Sequence, residues 1–455
     1  MQFTLITPTI PAGISSTACK PSMATSLKSD SERTLRILCV TSHSPEGEDY
    51  GARLRARHMF RLLDQLAEVS VVVAGLYHAY IPDPAPRQGI LKPAAVIPFC
   101  DWPIGYGMGR LRYEFSSSNM NLYGVGADIQ DCRMFHEMAS RHDVVWFFGL
   151  RVANGLRQWR WPHSILDVDD IPSQFYRSVA FAKHGWRIKE RVEALHHIRV
   201  WRRHELRVFE RFDTVGVCSL QDRKYFKNDE RVFVLPNGFD VPKVMPVSAP
   251  SDPPRIGFIG RLDYPPNLNG LRWFIREAWP AIRRRAPGVV LRVLGAMRNR
   301  NEFADMPGVE GLGWVEDSDA EMATWACTVV PIFEGGGTRL KISHAWSRKC
   351  PAVSTALGAF GYDAIHNREL LLADTAADFA TACLKLIDNP SEGRCLADNA
   401  YEAFLSRWTW EANLPTLKRQ LQATLARGGG SRNVIFKDGT AVAPATDTAG
   451  RGMTR

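Results

Sequence analysis

The chain has 455 residues, more than one hydrophobic core usually supports, so we expect two domains. Its net charge of +9 favours anionic partners, and its nine cysteines show no CxxC or Cys/His spacing, which argues against a disulfide framework or a zinc site. No apolar run is long enough to span a bilayer, and the N-terminus lacks the basic segment of a signal peptide, so we predict a cytoplasmic protein.

Strand and helix patterns alternate along most of the chain. Buried-strand runs such as LRILCVTS (35–42) and DVVWFFG (143–149) alternate with helical patterns as far as residue 240. A proline-rich stretch at 241–254 is typical of a linker, and the pattern restarts with RIGFIG at 255–260. This alternation predicts an α/β fold with two doubly wound parallel sheets in tandem.

The two ends of the chain are expected to lie outside the packed cores. Residues 1–34 are rich in Ser, Thr and Pro, and residues 427–455 are rich in Gly and polar side chains. We therefore predict disordered segments at both ends, a first domain over 35–240 and a second domain that begins at residue 255 and ends at residue 407.

The stretch FEGGGTRLKISHAW (333–346) places three glycines before a helix whose first turn carries Arg339 and Lys341. Cations at a helix N-terminus cost about 0.3–1 kcal/mol each unless an anion lies there. Taken alone, the stretch fits a glycine turn capped by Thr338 as well as an anion site. Because it follows a predicted strand, at the edge where ligands bind to parallel sheets, its position favours the anion site.

The sequence DVDD (167–170) contains the pair Asp167 and Asp169, whose spacing can hold a divalent metal together with a diphosphate. The pair lies at a strand end in the first domain. This position favours a capping or acceptor-orienting role for Asp167, Asp169 and Asp170 over metal binding.

A long helix predicted over 183–211 carries nine Lys/Arg residues and four Glu residues. Two readings stay open: attraction to an anionic membrane leaflet, and an ordinary solvated helix face. No helix-turn-helix, RNP aromatic pattern or zinc spacing occurs, so we do not expect a nucleic-acid partner.

Several stretches together resemble one known family, namely VFVLPNGFDV, RIGFIGRLDYPPN and EGGGTRLKISHAW. They are similar to family 4 glycosyltransferases of the GT-B architecture, in particular to the branch that acts in bacterial polysaccharide and lipid-linked glycan assembly. The resemblance covers 36–425 and is strongest over 230–390. It implies two Rossmann-like domains with an active cleft between them, and a last helix over 408–426 that crosses back to the first domain.

The same resemblance implies what each domain binds. The second domain would bind a nucleotide-diphosphate sugar, and the first would bind a glycan or polyprenyl-linked acceptor. Transfer of a hexose would be retaining and independent of a metal or other cofactor, with the protein at the inner face of the membrane.

Site residues follow by position from the resemblance. Arg261 and Glu334 are the expected catalytic residues, and Gly51 would let a substrate approach the first domain. The residues expected to bind the donor diphosphate, sugar or base are Gly260, Gly313, Trp314, Val315, Gly335, Gly336, Gly337, Thr338, Arg339, Lys341 and His344.

The sequence departs from the family pattern at its acids. The family has two glutamates separated by seven residues, the second directly before an alanine; here His344 precedes Ala345, and Gly336 stands eight positions earlier. We expect His344 to hydrogen-bond the ribose in place of the second acid. The family's phosphate lysine is Pro266. These losses support an alternative: a non-catalytic GT-B homologue that binds a nucleotide sugar or a partner enzyme.

Overall fold

The computed structural model describes residues 32–43, 51–76, 92–101, 125–182, 187–295, 303, 305–427 and 434–442. Two sheets, one of eight and one of six strands, each form the centre of a domain with helices packed on them. All but one pair of neighbouring strands within these two sheets run parallel. The predicted α/β fold with two doubly wound domains is confirmed.

The N-terminal domain is built on the eight-stranded sheet. The strands of this half of the chain are β1 (Arg33–Thr34), β2 (Arg36–Thr41), β3 (Glu68–Leu76), β4 (Ala95–Asp101), β5 (Val125–Gly126), β6 (Val144–Phe148), β7 (Ser164–Val168), β8 (Thr214–Val217) and β9 (Val232–Val234). Their order in the sheet is β5-β4-β3-β2-β6-β7-β8-β9. The central strands are mostly apolar and buried because helices cover both faces.

The helices of the N-terminal domain follow local sequence patterns, namely apolar residues at helical spacing and capping side chains. They are α1 (Gly51–Leu66), α2 (Ile129–Ser140), α3 (Leu150–Gly155), α4 (Pro172–Ala180), α5 (Ile188–Glu205) and α6 (Leu220–Tyr225). In α1, Ala56, Met59 and Leu63 recur at helical spacing and are buried against the sheet. Helix α2 begins where the Asp128 side chain accepts a hydrogen bond from the Asp131 N–H.

The C-terminal domain repeats the plan with six parallel strands. They are β10 (Arg255–Ile259), β11 (Val290–Leu294), β12 (Val309–Gly313), β13 (Trp325–Val330), β14 (Ala352–Ser354) and β15 (Leu371–Leu372), in the order β12-β11-β10-β13-β14-β15. Its helices are α7 (Pro265–Trp273), α8 (Trp279–Arg285), α9 (Ser318–Met322), α10 (Leu340–Ser347), α11 (Ala376–Asp388) and α12 (Pro390–Arg407).

The end of the chain returns to the N-terminal domain. Helix α13 (Leu414–Arg427) places Leu417 and Leu421 in the core around β2 and β6. Strand β16 (Val434–Ile435) then pairs in parallel with β1.

Two terminal predictions need correction. The sequence predicted disorder over 1–34 and from residue 427, whereas β1 lies within the first segment and residues 434–442 within the second are ordered against the N-terminal domain. Val434, Phe436 and Val442 are buried there, which explains the order despite a polar surrounding sequence. Residues 1–31, 428–433 and 443–455 lie outside the described residues. The basic helix predicted over 183–211 is shorter, because α5 spans Ile188–Glu205.

The two domains touch where the carboxyl ends of both sheets face each other. Asn237 Nδ2 donates a hydrogen bond to Thr338 Oγ1 at 3.0 Å, and the Gly335 N–H donates one to Ser178 Oγ at 2.7 Å. The Arg348 guanidinium donates to the carbonyl of Asp240 at 2.7 Å. Each of these three hydrogen bonds joins residues of different domains, so together they connect the two domains across the cleft.

Candidate active site

A cavity of about 790 Å³ lies between the two domains. Its walls come from the start of α1 and the end of β7 on one side, and from the β10–α7 loop, the glycine loop (334–338) and α10 on the other. Polar groups at the carboxyl ends of parallel strands on both sides therefore face one space, which is where ligands bind in such sheets.

The glycine loop makes a tight turn into α10. Gly335 and Gly337 have φ angles of +119° and +63°, a conformation that side chains disfavour. Arg339, the residue before α10, bends back and donates hydrogen bonds to the carbonyl oxygens of Gly336 and of Gly337, the latter at 2.8 Å. Its charge thus stabilises the turn. The Gly335 N–H, which was expected to face a ligand, donates its hydrogen bond to Ser178 Oγ instead.

Lys341 supplies a cation next to the end of β10. Its Nζ donates to Asn267 Oδ1 at 2.8 Å, lies 4.5 Å from the centre of the Phe258 ring, and would be 3.1 Å from a Cβ atom at Gly260. Burial, with a smaller contribution from Arg339, lowers the pKa of Lys341 to about 7. An anion bound beside Gly260 would favour the charged form, so this position suits a phosphate.

Arg261 is held by a neighbour that the sequence analysis missed. Its Nε donates to Asp263 Oδ1 at 2.9 Å, while Asn267 Nδ2 donates to the Arg261 carbonyl at 2.8 Å. Asn267 therefore bonds both the Arg261 backbone and Lys341. The family's phosphate lysine is absent at Pro266, and the amino group of Lys341 from α10 reaches this loop instead. The asparagine directly after that proline, Asn267, was the sequence feature that could have indicated this contact.

Asp170 of the N-terminal domain meets the glycine loop across the cleft. Its Oδ1 lies 2.0 Å from where a Cβ atom at Gly336 would be, so only glycine allows this approach. The same oxygen is buried and has no hydrogen-bond partner among the described residues. Burial raises the pKa of Asp170 to about 8, although the nearby Arg339 opposes the shift.

Asp167 and Asp169 lie beside it in different environments. Asp167 is buried in an ion pair with Arg55, whose Nη2 lies 2.7 Å from Oδ1 and whose Nε donates to Oδ2 at 3.2 Å. Asp169 accepts a hydrogen bond from Asn237 Nδ2 at 2.9 Å and lines the cavity. Asp167 and Arg55 both line the cavity of the N-terminal domain described below, so this ion pair holds that wall in place, and the acceptor-side role expected for Asp167 stays a prediction.

No cluster of three or more His, Cys, Asp or Glu side chains suited to a metal occurs within the described part of the chain. The paired carboxylates at 167 and 169 thus have no third side-chain ligand there.

Glu334 does not reach the cleft. It is buried, and its Oε1 accepts a hydrogen bond from Asn269 Nδ2 of α7 at 2.9 Å. The chain turns at Gly335 only after Glu334, which leaves this side chain pointing into the domain. The expected catalytic role for Glu334 is corrected: it fastens α7 beneath the glycine loop.

His344 lines the cavity from the second turn of α10. Its ring stacks on Phe239 with centroids 4.8 Å apart, and Nε2 lies 3.5 Å from Asp319 Oδ1, which also accepts a bond from Arg348 Nε at 3.0 Å. Burial lowers the pKa of His344 although Asp319 opposes the shift. A neutral imidazole at the cleft wall is able to hydrogen-bond a hydroxyl, but this one lies beside a carboxylate, and its contact with a ribose stays a prediction.

The remaining predicted residues divide into two groups. Gly51 begins α1 and lines the cavity, and Leu340 Cδ1 would be 3.3 Å from a Cβ atom there. Gly313 ends β12, Trp314 and Val315 follow it, and none of the three is part of the cavity wall; Trp314 is exposed.

A second cavity of about 360 Å³ continues from the cleft into the N-terminal domain. It shares His43, Asp169, Asp170 and Tyr264 with the first cavity, and its walls include Phe148, Phe175, Tyr176, Trp201 and Glu205. Sequence reasoning missed this cavity because its walls come from β6, α4 and α5, which are far apart in the chain.

Comparisons with known proteins show what the chain is similar to. Residues 253–389 match the family described as Glycosyl transferases group 1. An uncharacterized 44.6 kDa protein in the cps region of Klebsiella pneumoniae is 26% identical over 154 residues, 32% of this chain and 40% of that protein. The alignment thus covers less than half of that relative's length.

Solved structures resemble nearly the whole described chain. Sucrose-phosphate synthase from Thermosynechococcus elongatus has a TM-score of 0.61 at 17% identity over 86% of this chain and 100% of that one. HepE of Anabaena in complex with UDP-glucose has a TM-score of 0.57 at 15% identity over 86% and 100%. WaaG, a glycosyltransferase involved in lipopolysaccharide biosynthesis, has a TM-score of 0.56 at 13% identity over 85% and 99%. The chain therefore has the GT-B fold of these structures, and the stretch that matches the group 1 family model lies almost wholly within its second domain.

Proposed function

We propose that the protein transfers a hexose from a nucleotide-diphosphate sugar to a glycan or lipid-linked acceptor. The observation that carries the proposal is the half-buried amino group of Lys341 beside Gly260, at the carboxyl end of β10, with a neutral amide as its hydrogen-bond partner. Such a cation, at the mouth of a cleft built from a group 1 domain, is matched by a diphosphate.

Two cations and a helix start supply the electrostatic part of the reaction. As the bond between the sugar and the diphosphate breaks, negative charge grows on the departing phosphate. Lys341, the N-terminus of α10 and Arg261, once released from Asp263, stabilise that charge without a metal. In the retaining course that we propose, the acceptor hydroxyl attacks from the face that the phosphate leaves, and its proton passes to that phosphate.

The acceptor occupies the cavity of the N-terminal domain in this proposal. Phe148, Phe175 and Tyr176 offer apolar surface for a sugar ring or a lipid-proximal group, and Asp170 lies where that cavity opens into the donor cleft. Polysaccharide assembly at the inner face of the membrane is the setting that we propose. No helix in the described ranges combines the length and apolar character needed to cross a bilayer.

The test measures donor binding and turnover with UDP-, GDP- and ADP-hexoses, with and without EDTA. UDP-glucose is the first probe because HepE was solved with it. We expect one nucleotide class to raise the melting temperature by mass action and to be consumed in EDTA. Loss of turnover in EDTA with recovery in Mn²⁺ would contradict metal independence.

Arg261→Ala is the matched variant, with Arg285→Ala as control because Arg285 is exposed on α8. The loss of a charge-assisted phosphate contact should weaken donor binding or turnover by on the order of 2–4 kcal/mol for Arg261→Ala alone. Equal behaviour of the two variants would remove Arg261 from the donor site.

The non-catalytic alternative is favoured by one observation: neither family glutamate is present and Glu334 faces away from the cleft. That alternative expects donor binding without turnover for every acceptor supplied. Release of free nucleoside diphosphate above the rate of the Arg261→Ala variant excludes it.

A further inference from the structure

Helices α4 and α5 form a hairpin on the N-terminal domain, here called the α4–α5 hairpin (172–182 and 187–206). Its inner side is fixed: Val179, Ala180 and Ala194 form a small core, and Trp201 is buried in the main core of the domain. Tyr176 of α4 stacks on His197 of α5 with ring centroids 4.4 Å apart. The hairpin is therefore a rigid part of the domain, so its outer side has a defined shape.

The outer side of the hairpin exposes large apolar side chains. Ile188, Val192 and Leu195 are 80%, 60% and 50% exposed. Their spacing of four and three residues puts them on one stripe of α5. Phe181 at the end of α4 and Leu206 at the end of α5 are also exposed. A contiguous row of this kind on a surface that is otherwise polar marks an interaction site.

Cations lie on both sides of this apolar stripe near its start and continue it along α5 beyond Leu195. Arg187, Lys189, Arg199 and Arg202 are exposed on the same hairpin. Of the acids on the helix, Glu193 is paired with Lys189 at 3.8 Å, Glu190 accepts a bond from the Arg187 N–H at 2.8 Å, and Glu205 is buried. An apolar stripe with positive flanks is complementary to a surface that is apolar inside and anionic outside.

We infer that the outer face of the α4–α5 hairpin docks onto an anionic lipid bilayer. The stripe inserts at the boundary between headgroups and acyl chains, while the flanking cations contact anionic headgroups, each strengthening binding by roughly fivefold. This is the membrane reading of the basic helix that the sequence left open, and exposed aliphatic residues favour it over a solvated face.

The hairpin also joins this surface to the acceptor cavity. Pro172, Phe175 and Tyr176 of α4 and Trp201 and Glu205 of α5 line that cavity with their inner sides. A bilayer held by the outer side would therefore be separated from the acceptor cavity only by the hairpin itself. This consequence rests on the proposed function: the hairpin would deliver a lipid-carried acceptor, whose saccharide enters the cavity while its lipid stays in the leaflet.

The test is co-sedimentation of the full chain with vesicles of phosphatidylcholine alone or mixed with phosphatidylglycerol. We expect binding to the anionic vesicles that weakens as salt rises. The double variant Ile188→Asp/Leu195→Asp should lose at least tenfold in vesicle affinity. Val244→Asp/Val247→Asp is the matched control, because these two linker valines are 83% and 85% exposed, and it should bind like the unaltered chain.

Three outcomes would overturn the inference. One is equal binding to neutral and anionic vesicles, and another is equal loss in both double variants. The third is a concentration-dependent dimer that the Ile188→Asp/Leu195→Asp change abolishes, which would assign the stripe to a second copy of the chain. Far-ultraviolet circular dichroism and donor affinity, measured in parallel without vesicles, should be unchanged in both variants. If the protein binds vesicles but neither binds nor consumes any donor, the proposed function is wrong, whereas the docking surface is still supported.

Discussion

Donor binding should depend on pH through Lys341. Its pKa is lowered to about 7 because the amino group is buried, so a growing fraction of the free protein has a neutral lysine above that pH. The proposed diphosphate pairs with the charged form, and it remains fully ionised between pH 6.5 and 8.5. Binding at the upper end of this range must therefore take up a proton, and affinity should fall as pH rises.

The size of the effect follows from the protonated fraction. With a pKa near 7, the charged fraction falls from roughly three quarters at pH 6.5 to roughly 3% at pH 8.5, so affinity should fall by about 25-fold, or about 2 kcal/mol. Lys341→Met should bind more weakly at pH 6.5 and show a nearly flat profile. Lys349→Met is the control, because Lys349 pairs with Asp398 on the surface, and it should keep the full slope.

Titration calorimetry in two buffers of different ionisation enthalpy counts the protons directly. We expect close to one proton taken up per donor at pH 8.5 and few at pH 6.5. Asp170, with a pKa raised to about 8, titrates across the same cleft. Asp170→Asn should therefore be tested alongside: a steep profile that survives Asp170→Asn and vanishes in Lys341→Met supports the reasoning, and the reverse result refutes it.

Three further changes test other parts of the site. Gly336→Ala should lower turnover by about 100-fold with donor affinity nearly kept, because the added Cβ would lie 2.0 Å from Asp170 Oδ1 and hold the domains apart; unchanged turnover contradicts this. Arg55→Met should cost about 3–5 kcal/mol of unfolding free energy in a denaturant titration, since it leaves a buried carboxylate without its charge partner. His344→Ala should lose about 1–2 kcal/mol of donor binding by calorimetry, and His344→Glu should do no better because Asp319 lies beside it; a tighter Glu variant would show that this carboxylate does not matter.

The fold and the glycine loop were predictable because both leave local signals. Apolar runs alternating with helical patterns fixed the α/β class, and EGGGTR after a strand located the loop at the edge where the cavity lies. Lys341 was named on the same basis, and it does line the cavity.

Side-chain direction and long-range pairing were not predictable. Glu334 and Asp170 both end a strand pattern next to a turn, yet one points into its domain and the other across the cleft. The carboxylate of Asp167 is paired with Arg55, which lies 112 residues away in the chain. The second cavity likewise depends on how α4 and α5 pack, which composition does not encode.

The return of α13 and β16 to the first domain has a consequence for how the chain folds. The core around β2 and β6 includes Leu417, Leu421 and Val434, so it lacks part of its apolar surface until nearly the whole chain has left the ribosome. The second domain is encoded between these two parts of the first domain. Its core is formed by its own residues, so all of that core has been synthesised before α13 and β16. In topological terms it is an insertion into the first domain, and a nascent chain released near residue 407 would hold a finished second domain beside an unfinished first one.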